Sequence, residues 1–330
     1  MFKLRFFAGL ILTIGITACA TGEKISAKTA YVWQNVTAKA EFPESYGYPV
    51  FVLEDKTFLA INNGGWISKD GKHWTKTALA ESDLNPGYQK YVKFGDAVYR
   101  LGSTSGNYLD FTVSTKISRT RDGQKWETVA EKSDLPQRIF YGAVAFKNKI
   151  WLVGGYDGKR YYNDVWNSSD GVAWTRVAGK SEWSERTAGV IVFKDRLWLI
   201  GGGVIDGEKN SNPNSGNEIW SAADGVNWTK ADVRGIDKLG GSAVVFDDRL
   251  WLVGANRTDG NFGNAVLTSD DGANWRPLSA PWTPRGAAVV WVSGDRLFMT
   301  GGKYSYQEPN GEIKFVYSND VWAMTKAIKN

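Results

Sequence analysis

Short apolar runs separated by polar turns recur along the chain and predict β-strands. In each unit a run of small and β-branched residues is followed by two to four polar residues and a second apolar run ending in glycine. The clearest pairs of runs are residues 142–146 with 150–155, 189–193 with 197–202, 242–246 with 250–254, and 286–291 with 297–302. The pattern predicts an all-β domain built from repeated units.

A second feature of the repeat is the motif Asp-Gly-x-x-Trp. Its tryptophans are Trp74, Trp126, Trp174, Trp228 and Trp275, spaced 52, 48, 54 and 47 residues apart. Asp-Gly is typical of a tight turn between antiparallel strands, and a large aromatic after it can fill the space between two sheets. A third short strand precedes most of these turns, at residues 164–166, 218–220, 265–267 and 320–322. Each unit is therefore predicted to contain four strands, a to d.

The glycine pair, the downstream tryptophan and the period near 50 resemble kelch repeats of the galactose-oxidase-like β-propellers. The resemblance covers residues 31–330 and implies one four-stranded blade per unit. Strand a is expected to be buried on both faces near the axis. The glycine pair is degraded around residues 58–63 and 98–102, so the first two blades are expected to be less regular.

The number of blades follows from how the two ends of the chain complete each other. The last unit contains strands a, b and c but lacks an Asp-Gly-x-x-Trp motif before the chain reaches Asn330. Residues 31–36 resemble a free strand d, with Trp33 in the tryptophan position. We therefore predict a six-bladed kelch-type β-propeller whose last blade is closed by an N-terminal strand, which removes an exposed sheet edge.

The N-terminus has the features of a targeting segment. Lys3 and Arg5 precede an apolar stretch, residues 6–17, that is too short to span a bilayer comfortably. The following Ile-Thr-Ala-Cys, ending at Cys19, resembles the lipobox of bacterial lipoproteins, which implies cleavage before Cys19 and a lipid on its thiol. An ordinary signal peptide cut elsewhere is the alternative. We expect a signal peptide at 1–18, a lipidated cysteine and tether at 19–30, and the propeller at 31–330.

The lipobox resemblance also implies a location. A lipid on Cys19 anchors the protein in the cell envelope. Ala20 is not the aspartate that retains lipoproteins at the inner membrane, so the periplasmic face of the outer membrane is expected if the organism is Gram-negative.

Composition excludes several kinds of chemistry. Cys19 is the only cysteine and His73 the only histidine, so zinc sites with several His or Cys ligands are excluded. Galactose-oxidase chemistry, with two histidines and a Cys–Tyr crosslink, is excluded for the same reason, and no metal or cofactor is expected. His73 falls in a c–d turn and is expected to be solvated. Removing Lys3 and Arg5 lowers the formal net charge from +5 to +3, and no basic run suggests nucleic acid. A monomer is expected.

Loop lengths differ between the two sides of the predicted ring. The a–b and c–d turns are short, whereas the d–a loops and most b–c loops are long. The long b–c loops are residues 103–114, 156–163, 203–217, 256–264 and 303–319. Because binding residues are often carried by loops on a rigid scaffold, this long-loop face is the predicted binding face.

Two sets of side chains on that face are candidate binding residues. The aromatic set could stack on sugar rings, or could pack the loops onto themselves; it comprises Tyr156, Tyr161, Tyr162, Phe262, Tyr304 and Tyr306. The cationic set stands just before strand a and could capture a carboxylate or phosphate, or could form structural salt bridges to a neighbouring blade. Its members are Arg138, Arg186, Lys238 and Arg285.

Two classes of function fit these observations. The first is a binding or scaffold module of the envelope, with a protein or a saccharide as partner and the membrane bound through Cys19. The alternative is a carbohydrate-active enzyme resembling kelch-type sialic-acid mutarotases or epimerases, with Arg186 or Arg285 and Glu185 or Glu218 as acid and base. The Asp-Gly turns also resemble sialidase Asp-boxes, but they are one residue shorter and no arginine triad accompanies them. No motif identifies catalytic residues.

Overall fold

Six four-stranded antiparallel sheets form a ring in the described part of this computed structural model, which contains no helix there. The described residues are 29–61, 64–77, 88, 90–107, 110–202, 218–236, 241–254 and 263–328. The protein is therefore an all-β, six-bladed propeller, as predicted.

The strands follow the blades in chain order, except that β1 (Thr29–Thr37) belongs to the last blade. Blade one contains β2 (Val50–Leu53), β3 (Lys56–Ile61), β4 (Gly64–Ser68) and β5 (Thr75–Lys76). Blade two contains β6 (Lys90–Phe94), β7 (Ala97–Asn107), β8 (Asp110–Thr120) and β9 (Glu127–Ala130). Blade three contains β10 (Gly142–Phe146), β11 (Lys149–Val153), β12 (Val165–Ser168) and β13 (Thr175–Ala178).

The second half of the ring continues the same order. Blade four contains β14 (Val190–Phe193), β15 (Arg196–Ile200), β16 (Ile219–Ala222) and β17 (Thr229–Lys230). Blade five contains β18 (Ser242–Phe246), β19 (Arg249–Val253), β20 (Val266–Ser269) and β21 (Trp275–Leu278). Blade six contains β22 (Val289–Ser293), β23 (Arg296–Thr300), the hairpin β24 (Lys303–Gln307) and β25 (Ile313–Tyr317), and β26 (Val321–Ile328).

The N-terminal strand closes the ring. β1 pairs antiparallel with β26, from Thr29 opposite Ile328 to Thr37 opposite Val321. The inner strand of each blade also lies against the inner strand of the next, and β22 lies against β2. The predicted closure is confirmed, with β1 starting at Thr29 rather than at residue 31.

Three details differ from the sequence-based expectations. Blades one and two are complete four-stranded sheets. Strand a is mostly half-buried because it borders the central channel, and strand b is the most buried strand of the blade. Two of the predicted long b–c loops are largely β-structure: β7 and β8 extend as one long hairpin, and β24 and β25 form a separate two-stranded sheet.

Each Asp-Gly turn locks its blade onto the preceding one. Its glycine has a positive φ and lies against an aromatic ring on strand b of the preceding blade. The five pairs are Gly71 on Phe298, Gly123 on Phe58, Gly171 on Tyr99, Gly225 on Trp151 and Gly272 on Trp198. In blade six strands c and d come from opposite ends of the chain, so no turn joins them. There the ring of Tyr31 covers Trp251 at 4.7 Å between centroids.

The aspartate of each turn organises the turn itself. Oδ1 of Asp271 accepts hydrogen bonds from the backbone N–H groups of Ala273 (2.9 Å) and Asn274 (2.8 Å), and the Ser269 hydroxyl bonds the same oxygen (3.0 Å). Although burial acts to raise it, these bonds and one from the Asn274 side chain hold the pKa of Asp271 well below its usual range. Lowered pKa values also occur at Asp70, Asp122, Asp170 and Asp224.

These carboxylates predict an acid-sensitive fold. Because the folded-state pKa is lowered, the stabilisation is present above the unfolded value of about 3.9 and is lost as the pH falls through the folded value. Asp271→Asn keeps an acceptor oxygen but removes the charge. We expect its unfolding midpoint to fall at pH 7 and to depend less on pH below about 4. Urea titrations at several pH values measure this, and an unchanged acid dependence would contradict it.

Candidate functional site

The side of the ring that carries the d–a and b–c connections is called the long-loop side, and the opposite side the short-turn side. On the long-loop side the Arg138 side chain is buried, and its guanidinium is bonded to neighbouring protein groups. It donates to both carboxylate oxygens of Asp164, at 2.6 and 3.3 Å, and to the carbonyl of Gly154 at 3.0 Å. Its guanidinium also lies 3.9 Å from the ring centroid of Tyr162. The charge of Arg138 is therefore neutralised inside the fold.

The same arrangement recurs in two other blades. Arg186 pairs with Glu218 and donates to the Gly201 carbonyl at 3.3 Å. Arg285 pairs with Asp320, donating to its Oδ2 at 3.0 Å. In all three blades a tryptophan indole donates to the same carboxylate, namely Trp166, Trp220 and Trp322. These salt bridges tie strand a to strand c within one blade, whereas the sequence reading placed such bridges between blades. The structure does not describe Lys238.

Glu218 has the environment of a structural carboxylate. Burial opposes its ionisation, but hydrogen bonds from Lys230, Arg186 and Trp220 hold the pKa of Glu218 below its ordinary value. A carboxylate that is ionised and already hydrogen-bonded is a poor proton donor at neutral pH. The geometry thus favours a stabilising role for the Arg186–Glu218 pair over acid–base catalysis.

A charge deletion distinguishes structural support from ligand capture. We expect Arg138→Met to lower the free energy of unfolding by about 3–5 kcal/mol, because Asp164 is left buried without its partner. The double variant Arg138→Met, Asp164→Leu should recover much of this loss. Urea denaturation of the three proteins measures the effect. Equal stability of Arg138→Met and the wild type would contradict a structural role.

The tyrosines of the β11–β12 connection pack that loop. Tyr156 is buried and stacks on Tyr161 at 4.6 Å between centroids. The Tyr162 hydroxyl donates to Oδ2 of Asp157 at 2.5 Å. Two backbone N–H groups in the same loop also donate to Asp157. Tyr156, Tyr161 and Tyr162 thus contact other residues of their own loop. Phe262 lies outside the described residues.

The β24–β25 hairpin presents the most exposed aromatic surface. Ile313 is 62% exposed, Phe315 50%, Tyr317 38% and Tyr46 43%. Tyr46 stacks on Tyr317 at 5.4 Å between centroids. Strand alternation places Ile313, Phe315 and Tyr317 on one face of the hairpin. These four residues are called the hairpin patch.

The two sequence-predicted tyrosines of the hairpin lie on its other face. Tyr304 is half-buried and Tyr306 is exposed, its hydroxyl bonding Glu308 at 3.2 Å. Sequence reading missed the hairpin patch, although a signal was present. Pro309-Asn310-Gly311 separates two alternating runs, which is typical of a β-hairpin rather than an open loop.

The short-turn side carries shallow grooves, and in one of them the arginines are paired with carboxylates. One groove of about 290 Å³ lies beside the turn of blade two. There Glu127 accepts from both Arg119 and Arg121, and Arg121 also bonds Asp96 at 2.8 Å. His73 lies on the same side, 72% exposed, and its Nδ1 is 2.8 Å from Asp70.

Among the described residues no group of three or more His, Cys, Asp or Glu side chains is placed to hold a metal ion. No helix there is long and apolar enough to span a bilayer. Cys19, the predicted signal peptide at 1–18 and all but the last two residues of the predicted tether at 19–30 lie outside the described part of the chain.

Comparisons with known proteins agree with the architecture. Among solved structures, that of YjhT covers 90% of this chain and 100% of its own, with a TM-score of 0.66 and 14% sequence identity. At that identity the likeness concerns the fold alone. No functionally curated protein matches the chain. The family described as "DUF6242 beta propeller domain" matches residues 15–233. The chain therefore belongs to the DUF6242 β-propeller family.

Proposed function

We propose that the protein is a lipid-anchored binding module of the bacterial cell envelope, a kelch-type propeller whose long-loop side receives a protein or saccharide partner. The hairpin patch is the observation that carries this proposal. Four of the seven large hydrophobic side chains that are strongly exposed in the described residues form the hairpin patch, whereas Tyr306 lies on the other face of the hairpin and Val32 and Val226 lie elsewhere. Contiguous exposed apolar surface with aromatic anchors is typical of interaction sites.

The position of β1 supports this choice of side. The Tyr31 hydroxyl donates to Oδ2 of Asp247 at 2.5 Å, and Lys326 Nζ donates to Oδ1 of the same carboxylate at 2.9 Å. Asp247 lies in the β18–β19 turn on the short-turn side, so β1 starts there. A lipid on Cys19 would then hold the short-turn side within about 30–35 Å of the membrane, the extended length of the intervening residues. The long-loop side would face away and stay accessible.

The polar chemistry of the short-turn side also supports the proposal. The aspartates of its five Asp-Gly turns accept hydrogen bonds from backbone N–H groups of their own turns. A turn whose polar groups are satisfied internally offers a ligand little directional bonding. The apolar hairpin patch, by contrast, is stabilised by being covered.

A carbohydrate-active enzyme of the sialic-acid mutarotase type remains the second candidate function. In this alternative a sugar binds at the long-loop side, and exposed aromatic rings there stack on the apolar C–H face of the sugar. Its acid would have to come from a group other than Glu218, which is held ionised. Glu185 precedes Arg186 and is not part of the buried pair.

Saturation-transfer NMR of the full-length chain separates the two kinds of partner. Mixed neutral and acidic sugars are added to the wild type, Phe315→Ala and Val226→Ala, and anomeric signals are followed in the same tubes. We expect any sugar transfer to fall in Phe315→Ala and to persist in Val226→Ala. Faster anomer exchange would favour the enzyme. If no sugar shows saturation transfer, both the saccharide-binding module and the sugar enzyme are excluded, and a protein partner is left.

A further inference from the structure

Lys90 occupies a position in blade two where blades three, four and five carry glycine or serine. It is the first residue of β6 and pairs with Leu101, as Gly142 pairs with Val153 and Ser242 with Val253. The Ser242 hydroxyl donates to the carbonyl of Ala288 in the next blade at 2.9 Å. A Cβ on Gly142 would lie 3.3 Å from the corresponding carbonyl of Ala188.

The repeat therefore gives the direction of Lys90. Its Cβ faces the start of strand a in blade three, next to Tyr141, at the long-loop end of the channel. The lysine stem is longer than the space that a serine fills at this position. Its ammonium can therefore reach beyond that carbonyl, towards the mouth of the channel.

The ammonium of Lys90 has no carboxylate within ion-pairing distance among the described residues, in contrast to the buried Arg138, Arg186 and Arg285. Lys90 is half-buried by accessible surface but closely surrounded by protein atoms, as expected of a side chain lining a narrow channel. Burial lowers the pKa of Lys90 below its ordinary value. A cation in this setting gains more from an anion than one in bulk water does.

Two aromatic residues flank this position in unusual backbone conformations. Tyr88 and Phe140 have φ angles of 33° and 57°, in the left-handed region that bulky residues rarely adopt. Equivalent positions in blades one and six are Gly47 and Ala287. The rings of Tyr88 and Phe140 meet at 4.6 Å between centroids, and both residues are half-buried. A strained backbone thus holds a partly open aromatic pair beside the channel mouth.

We propose that Lys90, Tyr88 and Phe140 form a binding site at the mouth of the central channel for a small organic anion, a carboxylate on a flat apolar body. Lys90 bonds the carboxylate and the two rings contact the apolar body. This inference rests on the proposed binding role of the long-loop side and names a second site there. The site is separate from the hairpin patch, so the two can be tested independently.

Benzoate is a suitable probe, and the neighbouring Lys93 supplies a matched control. Lys93 lies on the same strand but is exposed and points to the opposite side. Benzoate affinity is measured by NMR titration of the full-length chain as wild type, Lys90→Met and Lys93→Met. We expect Lys90→Met to weaken binding about tenfold, the size of a lost charge-assisted hydrogen bond, and Lys93→Met to change it little. Benzyl alcohol, which has the ring without the charge, should bind the wild type more weakly.

A labelling measurement on the wild type keeps the proposal testable if Lys90→Met folds poorly. Limiting acetic anhydride followed by peptide mapping gives the relative reactivity of each lysine. Benzoate should protect Lys90 several-fold and leave Lys93 unprotected. Equal benzoate affinity in wild type and Lys90→Met, or no protection of Lys90, would overturn the proposal.

The outcome also separates this inference from the proposed function. Phe315→Ala should leave benzoate binding intact. If benzoate binds through Lys90 but no partner binds the hairpin patch, this site is upheld and the proposed function loses its basis. A partner at the hairpin with no role of Lys90 in benzoate binding would overturn this inference alone.

Discussion

Gly272→Ala is expected to lower the free energy of unfolding by about 2–5 kcal/mol. Left-handed backbone costs a non-glycine residue about 1–2 kcal/mol, and overpacking adds about 1–3 kcal/mol. Gly272 has φ +79°, and an added Cβ would lie 2.2 Å from a ring carbon of Trp198. That ring is buried and fixed by its indole N–H, which donates to the Phe193 carbonyl at 3.0 Å. The ring cannot move aside cheaply, so blades four and five must separate locally.

Gly294→Ala is the matched control. Gly294 also has a positive φ of +59°, but nothing lies within 4 Å of its added Cβ. Its cost should be about 1 kcal/mol, from backbone strain alone. Urea denaturation with an unchanged m-value gives both numbers. Equal losses in the two variants would mean that ring contact at the Asp-Gly turns contributes nothing to holding adjacent blades together.

Removal of β1 is expected to prevent the ring from closing. β26 would lose its outer partner along its whole length and keep only β23, leaving an open sheet edge that invites aggregation. Trp282, which Trp33 meets at 4.6 Å, and Trp251 would also be uncovered. Losing two such contacts at about 3–5 kcal/mol each is comparable with the whole stability of a typical domain, about 5–15 kcal/mol.

Chains of residues 39–330 and 28–330 test this expectation. The longer chain keeps β1 and should show a native near-ultraviolet spectrum and a cooperative thermal transition. The shorter chain should show neither, and a synthetic peptide of residues 29–37 should restore part of both. A shorter chain that folds cooperatively by itself would show that closure by β1 is dispensable.

The sequence predicted the repeat well because the repeat is local. Alternating apolar runs, Asp-Gly turns and the tryptophan spacing lie within a few residues of one another, and Trp33 revealed the missing strand. The contacts that decide the candidate site are longer in range. Arg138 finds Asp164, and Arg285 finds Asp320, only when strands a and c are brought together, so sequence reading could not tell a free cation from a buried pair.

Regular hairpins inside loops were the other feature that the sequence reading missed. Residues 303–319 are rich in polar residues and were read as an open connection, yet β24 and β25 alternate around Asn310-Gly311. Ser, Thr and Gly similarly obscured the long β7–β8 hairpin. The direction of Lys90 could be inferred only from the register of three blades, which no single segment of the sequence contains.

Photocrosslinking in the native cells tests the central claim, a binding face on the long-loop side, most directly. A benzophenone amino acid replaces Phe315 on the hairpin patch or Val226 in the turn of blade four, both exposed residues on opposite sides. Because benzophenone inserts into C–H bonds, it captures protein and saccharide partners alike. The account predicts discrete adducts from position 315 and none from position 226. Adducts from position 226 alone, or from neither position, would contradict it.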